Sequence, residues 1–403
     1  MNILFLTVSR INDLSERGIY NDLMRKFRDE GHNVYVVSPS ERRFKQVTGL
    51  RDSHGIKLLK VKTLNIQKTN VIEKGIGTIL IQYQFLWAIS QHLSKVKFDL
   101  IIYSTPPITF TKVIKKIKEK YNAKTYLLLK DIFPQNAVDL GMIKKNSLLH
   151  NYFRKKEHST YKISDFIGCM SEANLNYILK HNPFINKEKI EVNPNSIELC
   201  NNELTDKEIE VIRNKYNLPI DKTVFVYGGN LGKPQGLDFL LKVLESNLYN
   251  TRLHFLIVGN GTEYSKINKW FVNNNPSNAT LLTRLAKHDY DNLVQACDVG
   301  LIFLDNRFTI PNYPSRLLSY LEYKMPIVCA TDSITDIGSI AEKNGYGLWA
   351  LSGDLDTLNQ KISSLTANKP LIKMMGEKGY NFLIENYTVS NSYTIIMNHF
   401  KSI

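Results

Sequence analysis

A glycine-rich segment carrying one lysine lies near the middle of the chain. Residues 223–241 read TVFVYGGNLGKPQGLDFLL, which predicts a strand, a tight turn and the start of a helix. Glycines let a backbone approach a ligand closely, and the N-terminus of a helix favours an anion. Lys233 would add a full positive charge at the same place. The segment therefore predicts a site for a phosphorylated ligand, with an ordinary strand-to-helix turn as the alternative.

Two carboxylates stand at positions where they could act on a hydroxyl group. Asp131 follows the apolar run TYLLLK, and Glu172 follows FIGCM. A carboxylate at the carboxyl end of a strand can orient or deprotonate a hydroxyl. We expect Asp131 to be catalytic and Glu172 to be the second candidate, although Ser171 and Glu172 could instead cap the helix that follows.

Two Asp-x-Asp pairs could in principle hold a divalent metal ion. They are Asp289 with Asp291 and Asp354 with Asp356. Both pairs open segments of helical pattern, where aspartate is favoured as a cap or in the first turn. We therefore expect no metal site.

Strand-like apolar runs alternate with helical patterns in both halves of the chain. The length of 403 residues favours two domains. The sequence predicts an α/β fold with two doubly wound, Rossmann-like parallel-sheet domains that face each other across a crevice. We expect the domains at 1–198 and 199–384, with a C-terminal helix at 385–403 packing back on the first.

Positive charge is concentrated in the first half of the chain. Residues 1–200 hold 32 Lys and Arg against 18 Asp and Glu, whereas the remainder holds 20 of each, so the whole net charge of +14 lies in the first half. Basic clusters at 111–124 and 153–158 favour an anionic membrane surface over nucleic acid, for which no motif is visible. No secretory signal or membrane span is apparent, and four scattered cysteines fit a cytoplasmic protein.

Six segments, in this order, resemble those of a known family. They are EGHNVYVVS, KDIFPQNAVDLGMI, MSEANLNYI, VNPNSIE, GGNLGKPQGLDFLL and PSRLLSYLEYKMPIV. Together they resemble a GT-B glycosyltransferase of family 4, in the bacterial branch that builds capsular and surface polysaccharides. The resemblance covers essentially the full length.

The resemblance implies a set of residues that bind a nucleotide-sugar donor. Lys233 would face the diphosphate, Arg316 would add a second charge, and Asn230 and Gln235 stand where many relatives have Arg and Lys. Pro311 and Ser319 occupy the two positions of the family's Glu-x7-Glu pair, so neither carboxylate is present. The implied donor-binding residues are Gly18, Gly229, Asn230, Lys233, Gln235, Gly261, Arg284, Leu285, Pro314, Ser315, Arg316 and Ser319.

The resemblance also implies an activity. It is the metal-independent, retaining transfer of a sugar from a nucleotide diphosphate, expected to be UDP, to a polyprenyl-diphosphate-linked glycan at the inner face of the cell membrane, without any cofactor. Two alternatives stay open at this point. One is a GT-B sugar-nucleotide epimerase, and the other is a non-catalytic glycan- or membrane-binding protein of the same fold, which the missing glutamates favour.

Overall fold

The chain divides into two compact units. The computed structural model describes residues 1–66, 69–200 and 203–400. One unit comprises Met1–Glu198 together with the C-terminal segment that starts at Thr388, and the other comprises Leu199–Tyr387. The chain therefore leaves the N-terminal unit after residue 198 and returns to it for its last helix.

The N-terminal unit is built on an eight-stranded sheet. Its strands are β1 Asn2–Leu6, β2 Asn33–Glu41, β3 Gly49–Ser53, β4 Ile56–Thr63, β5 Leu100–Ser104, β6 Lys124–Leu129, β7 Phe166–Cys169 and β8 Ile190–Val192. Their order in the sheet is β3-β4-β2-β1-β5-β6-β7-β8. Neighbours are parallel except for β3, which pairs antiparallel with β4. That hairpin is absent from the sequence prediction.

The described part of this unit contains seven α-helices. They are α1 Ile19–Asp29, α2 Val71–His92, α3 Thr111–Tyr121, α4 Gln135–Asp139, α5 Leu148–Ile163, α6 Glu172–His181 and, at the far end of the chain, α15 Val389–Asn398. Most of the basic cluster at 111–124 lies on α3, which buries Val113, Ile114 and Ile117 and exposes all of its lysines except Lys118. Among the described residues, none of the helices combines the length and apolar character needed to span a membrane.

The last helix completes the core of the N-terminal unit. Val389 and Ile396 are buried within that core, and α15 packs against α1. The Ser392 hydroxyl donates a hydrogen bond to Asn193 Oδ1 at 2.7 Å. The helix predicted at 385–403 starts later than expected, because residues 385 and 386 end the preceding helix and Thr388 caps the new one, accepting from the Asn391 N–H.

The C-terminal unit is built on a six-stranded, all-parallel sheet. Its strands are β9 Thr223–Asn230, β10 Leu253–Asn260, β11 Ala279–Leu282, β12 Val299–Phe303, β13 Ile327–Thr331 and β14 Gly347–Leu351. Their order is β11-β10-β9-β12-β13-β14. Its helices are α7 Asp206–Lys215, α8 Leu237–Ser246, α9 Tyr264–Asn274, α10 Lys287–Gln295, α11 Arg316–Glu322, α12 Ile337–Lys343, α13 Leu355–Leu365 and α14 Lys369–Asn386.

Both sheets confirm the predicted α/β class with two doubly wound, Rossmann-like domains. In each sheet the strand order reverses beside the first strand, between β1 and β5 and between β9 and β12. Open parallel sheets bind ligands outside the carboxyl ends of their strands at such reversal points. A ligand site in the C-terminal unit is therefore expected at the loops after β9 and β12.

We expect the replacement Ile396→Ala to destabilise the N-terminal unit by about 2–4 kcal/mol, because it opens a cavity in a packed core. Ile396 is fully buried, whereas Met374, on α14, is exposed. Urea unfolding followed by circular dichroism measures the change, and Met374→Ala is the matched control, expected to shift stability by less than about 0.5 kcal/mol. Equal stability of the two variants would show that α15 adds nothing to the core.

Candidate functional site

The loop after β9 has the shape that the sequence predicts. β9 ends at Asn230, with Gly229 at a φ of 118°, a conformation that side chains disfavour. A turn of 3-10 helix at Lys233–Gln235 follows, and α8 begins at Leu237. A Cβ on Gly261 would clash with the Leu231 carbonyl, so this glycine lets the loop after β10 lie against the loop after β9.

Helix α11 is fixed against β9 by a buried tyrosine. Tyr320 is fully buried, and its hydroxyl accepts from the Gly228 N–H at 3.1 Å and donates to the Val226 carbonyl at 3.2 Å. These two bonds tie the helix to the backbone of the central strand. Arg316, the first residue of α11, is thereby held beside the glycine-rich loop.

The Arg316 guanidinium is enclosed by residues of that loop. The central carbon of the guanidinium, Cζ, lies 4.3 Å from the centre of the Tyr227 ring, and Nη2 donates a hydrogen bond to Gln235 Oε1 at 2.5 Å. Nη2 is also close to Gly229, since a Cβ there would lie 3.8 Å away. The other terminal nitrogen, Nη1, is buried and has no hydrogen-bond partner in the described part of the chain.

Arg316 stays charged in this setting. Desolvation works to lower the pKa of Arg316, but the nearby Tyr227 and Tyr320 oxygens outweigh it and raise the pKa above its usual range. A buried N–H group without a partner costs free energy, more so on a charged group. An anion placed against Nη1 would remove that cost.

Gln235 positions Arg316. The Gln235 Oε1 accepts from Arg316 and lies 3.3 Å from the Tyr227 hydroxyl, which itself donates to the Asn230 carbonyl at 2.8 Å. The predicted role of Gln235 in contacting the donor stays a prediction. The hydrogen bond from Arg316 to Gln235 links α11 to the loop after β9.

The remaining predicted residues near the loop are exposed or half-buried. Asn230, Lys233 and Ser315 are exposed, and no hydrogen bond or ion pair joins the Lys233 amine to the described residues. Ser315 precedes α11 and makes no side-chain cap, Pro314 lies before it, and Ser319 is half-buried one turn after Arg316. Lys233 is thus available to a ligand next to Gln235 and Arg316.

The three remaining predicted donor-binding residues belong to other loops. Arg284 and Leu285 belong to the loop after β11, two strands away from β9. Gly18 lies in the N-terminal unit, where it precedes α1 in an extended conformation and its N–H donates to Asp22 Oδ1 at 2.8 Å. Their contact with a donor stays a prediction, as does the crevice between the domains.

In the N-terminal unit, Asp131 follows β6 as predicted. The Thr105 hydroxyl fixes the backbone there, accepting from the Lys130 N–H at 3.1 Å and lying 3.2 Å from the Asp131 carbonyl. The Asp131 carboxylate reaches solvent and has no bonding partner among the described residues. Surrounding protein nevertheless desolvates it and raises the pKa of Asp131 to about 6.

Glu172 occupies the start of α6, at the end of the neighbouring strand β7. It is exposed, and the helix cap is Ser171, whose hydroxyl accepts from the Asn174 N–H at 3.3 Å. Glu172 is therefore free of the capping role. The adjacent strands β6 and β7 place Asp131 and Glu172 at the same edge of the sheet.

The Asp-x-Asp pairs serve their helices. Asp354 caps α13, accepting from the Thr357 N–H at 3.1 Å. Asp289 lies in the first turn of α10, where Ala286 holds the cap position, and its carboxylate is 3.3 Å from the Lys215 amine. Asp291 pairs with Lys287.

Sequence reasoning missed two residues of these sites. Tyr227 supports Arg316 from within β9, and the only signal for it is an aromatic residue directly before the glycine pair. Lys130 precedes Asp131, is half-buried, and desolvation lowers its pKa to about 7. A lysine that ends an apolar strand next to a candidate catalytic aspartate is the signal there.

Comparison with known proteins places both units in one enzyme class. Residues 19–200 match the family model Glycosyltransferase Family 4, and residues 208–382 match the model Glycosyl transferases group 1. The chain is 23% identical over 289 residues to WbjE of Pseudomonas aeruginosa, described as a probable glycosyltransferase, with 70% of this chain and 68% of that protein covered. It is 22% identical over 253 residues to WcaI of Escherichia coli, a glycosyl transferase provisionally assigned to colanic acid biosynthesis, with 61% and 60% covered.

Solved structures share the fold. HepE of Anabaena, crystallised with UDP-glucose, superposes with a TM-score of 0.72 at 14% identity over the full length of both chains. Sucrose-phosphate synthase of Thermosynechococcus elongatus superposes with a TM-score of 0.75 at 13% identity, covering 100% of this chain and 98% of that one. With the two family models spanning most of its length, the chain belongs to the GT-B glycosyltransferases.

Proposed function

We propose that the protein transfers a sugar from a UDP-sugar to a polyprenyl-diphosphate-linked glycan in the synthesis of a capsular or other surface polysaccharide. The observation that carries the proposal is the buried, unpartnered Nη1 of Arg316 at the glycine-rich loop. A donor diphosphate supplies the anion that this nitrogen lacks.

The donor half of the proposal rests on the C-terminal unit. Arg316 offers a rigid fork of donors suited to phosphate oxygens, and Lys233 offers a mobile positive charge nearby. HepE, which shares the fold, was crystallised with UDP-glucose, which supports a uridine nucleotide. A hexose is the proposed sugar, and Arg284, Leu285 and Gly261 are proposed to line the base subsite.

The leaving group is proposed to be stabilised without a metal ion. When the bond from the sugar to the diphosphate breaks, negative charge grows on the leaving oxygen. Preorganised cations in a partly dry site stabilise that charge by several kcal/mol. Arg316 and Lys233 are proposed for this role, and retention of the anomeric configuration is proposed from the family resemblance.

The acceptor half of the proposal rests on the N-terminal unit. Asp131 would orient the acceptor hydroxyl or take its proton, with Glu172 as the second candidate at the same sheet edge. The positive charge of residues 1–200 suits a diphosphate acceptor carried in an anionic membrane. The provisional assignment of WcaI to colanic acid biosynthesis also supports a surface polysaccharide role. Location at the cytoplasmic face of the membrane is part of this proposal.

Two measurements separate the proposed function from its alternatives. Protection of the protein by UDP in a thermal-shift assay tests nucleotide binding, and UDP release with added lipid-linked glycan tests transfer. UDP release that requires a sugar phosphate would indicate a water-soluble acceptor. Conversion of the UDP-sugar without an acceptor would indicate an epimerase. A protein that neither releases UDP with an acceptor nor converts the UDP-sugar would be a binding protein.

We expect Arg316→Ala and Lys233→Ala each to raise the donor KM and to lower kcat by at least tenfold, because each removes a cation from the diphosphate. Arg316→Lys should recover only part of the loss, since lysine lacks the planar fork. Steady-state kinetics measure both constants. Lys242→Ala, at an exposed position of α8, is the control and should behave as wild type. Wild-type kinetics in the first two variants would exclude these residues from the donor site.

If Gln235 acts by holding Arg316, its effect must vanish when the arginine is gone. We expect Gln235→Ala to raise the donor KM roughly threefold to tenfold in the wild-type background and to add nothing in the Arg316→Ala background. A double-mutant cycle on kcat/KM measures the coupling. Additive losses would mean that Gln235 contacts the donor independently.

The raised pKa of Asp131 predicts a pH dependence. The carboxyl group keeps its proton up to about pH 6, so its charged form dominates only above that value. If the carboxylate orients or deprotonates the acceptor, kcat/KM for the acceptor should fall as the pH drops through about 6. Asp131→Asn should be at least a hundredfold slower, and its kcat/KM should not fall as the pH drops through about 6. A fall of kcat/KM at this pH in the variant would show that another group causes it.

A further inference from the structure

Helix α2 carries an apolar stripe on its outer side. Its inner residues are buried in the N-terminal unit, including Ile81, Phe85 and Ala88. Its outer side has five exposed apolar or aromatic residues, each three or four positions from at least one other, so that they form one continuous stripe along the helix. They are Ile76, Ile79, Leu80, Tyr83 and Trp87, exposed by 40–58%. We call these five residues the α2 stripe.

The α2 stripe is more apolar than folding of the unit requires. A surface helix of a water-soluble protein normally has charged and polar residues on its outer side. Here the described residues leave the outer apolar side chains uncovered, and Trp87 is 58% exposed. Contiguous apolar surface of this kind marks a place where the protein meets another apolar phase.

Lysines of the next helix border the α2 stripe. Helix α3 packs beside α2, and its Lys112 amine lies 4.5 Å from the centre of the Tyr83 ring. Lys116 and Lys120 face Tyr83 and Trp87 across a groove of about 490 Å³. All three lysines are exposed, and none forms an ion pair with the described residues. The stripe thus has lysines along its α3 side.

Helix α5 continues the same surface. It packs on the other side of α3, and its first residue, Leu148, is 91% exposed. Leu149 and Tyr152 are also exposed, and Lys144 and Lys145 lie just before them. Of these three helices, α2 and α5 thus expose apolar side chains, and α3, which packs against both, exposes lysines.

We propose that the α2 stripe inserts into the boundary between headgroups and acyl chains of an anionic bilayer, while Lys112, Lys116 and Lys120 bind the lipid phosphates. Apolar residues with Trp and Tyr, flanked by lysines, are the pattern of an interfacial helix. A protein interface fits less well, because the cores of such interfaces are depleted of lysine. The inference deepens the proposed membrane contact by adding a hydrophobic element, and it does not depend on the donor chemistry.

The test is binding of the full-length protein to vesicles of phosphatidylcholine with 30% phosphatidylglycerol, measured by flotation. We expect Ile79→Gln with Trp87→Gln to weaken partitioning at least tenfold and to abolish the binding that survives 0.5 M salt. Lys112→Gln with Lys116→Gln should remove mainly the salt-sensitive part, because ionic attraction is screened at that ionic strength. Unchanged partitioning of the Ile79/Trp87 variant would overturn the proposal.

Matched controls lie in the C-terminal unit. Val272→Gln and Lys242→Gln alter an exposed apolar residue and an exposed lysine there, and both should bind vesicles as wild type does. In wild type, brominated lipids should quench Trp87 fluorescence, and a Trp87→Phe variant assigns the signal. Absence of quenching would contradict insertion.

Two further readouts keep the outcomes distinct. A wild-type dimer in solution that Ile79→Gln with Trp87→Gln converts to a monomer would show that the α2 stripe is a protein interface, which would overturn the proposal. UDP protection in a thermal-shift assay should be the same in this variant and in wild type. If UDP fails to protect the wild-type protein but vesicles still bind it, the result would contradict the proposed function and leave the membrane proposal standing.

Discussion

The candidate site in the C-terminal unit depends on the Arg316 guanidinium group, one of whose nitrogens is buried without a hydrogen-bond partner among the described residues. The ring of Tyr227 covers one side of Arg316, and Gln235 binds Nη2, so the position of the unpaired Nη1 is fixed before any ligand arrives. A preorganised cation loses less free energy on binding than a flexible one, since its side chain is already ordered. The arrangement depends in turn on Tyr320, which holds α11 against the central strand.

Much of this could be predicted from the sequence. Strand-length apolar runs that alternate with helical patterns determine a parallel α/β fold almost by themselves, because each strand needs a crossover to reach its parallel neighbour. The same logic puts Asp131 and the glycine-rich loop at the carboxyl ends of β6 and β9, where the structure has them.

The rest depends on contacts between distant positions. Gln235 and Arg316 are 81 residues apart, and nothing local to either residue indicates that they are bonded. The Glu322 carboxylate of α11 does not stand in for the missing Glu-x7-Glu pair, because its Oε1 already accepts a hydrogen bond from the Cys200 N–H at 2.9 Å. For α2, an apolar pattern on both sides of a helix is typical of a buried helix, and only the packing reveals that its outer side is left bare.

The return of the chain to its first unit has a consequence for biosynthesis. Val389 and Ile396 belong to the same core as Ile3 and Phe5, so that core combines residues that are far apart in the sequence. During translation the N-terminal residues leave the ribosome long before α15 exists. The first Rossmann-like domain therefore cannot reach its full native packing until α15 has been made, while Leu199–Tyr387 has its described strands and helices earlier.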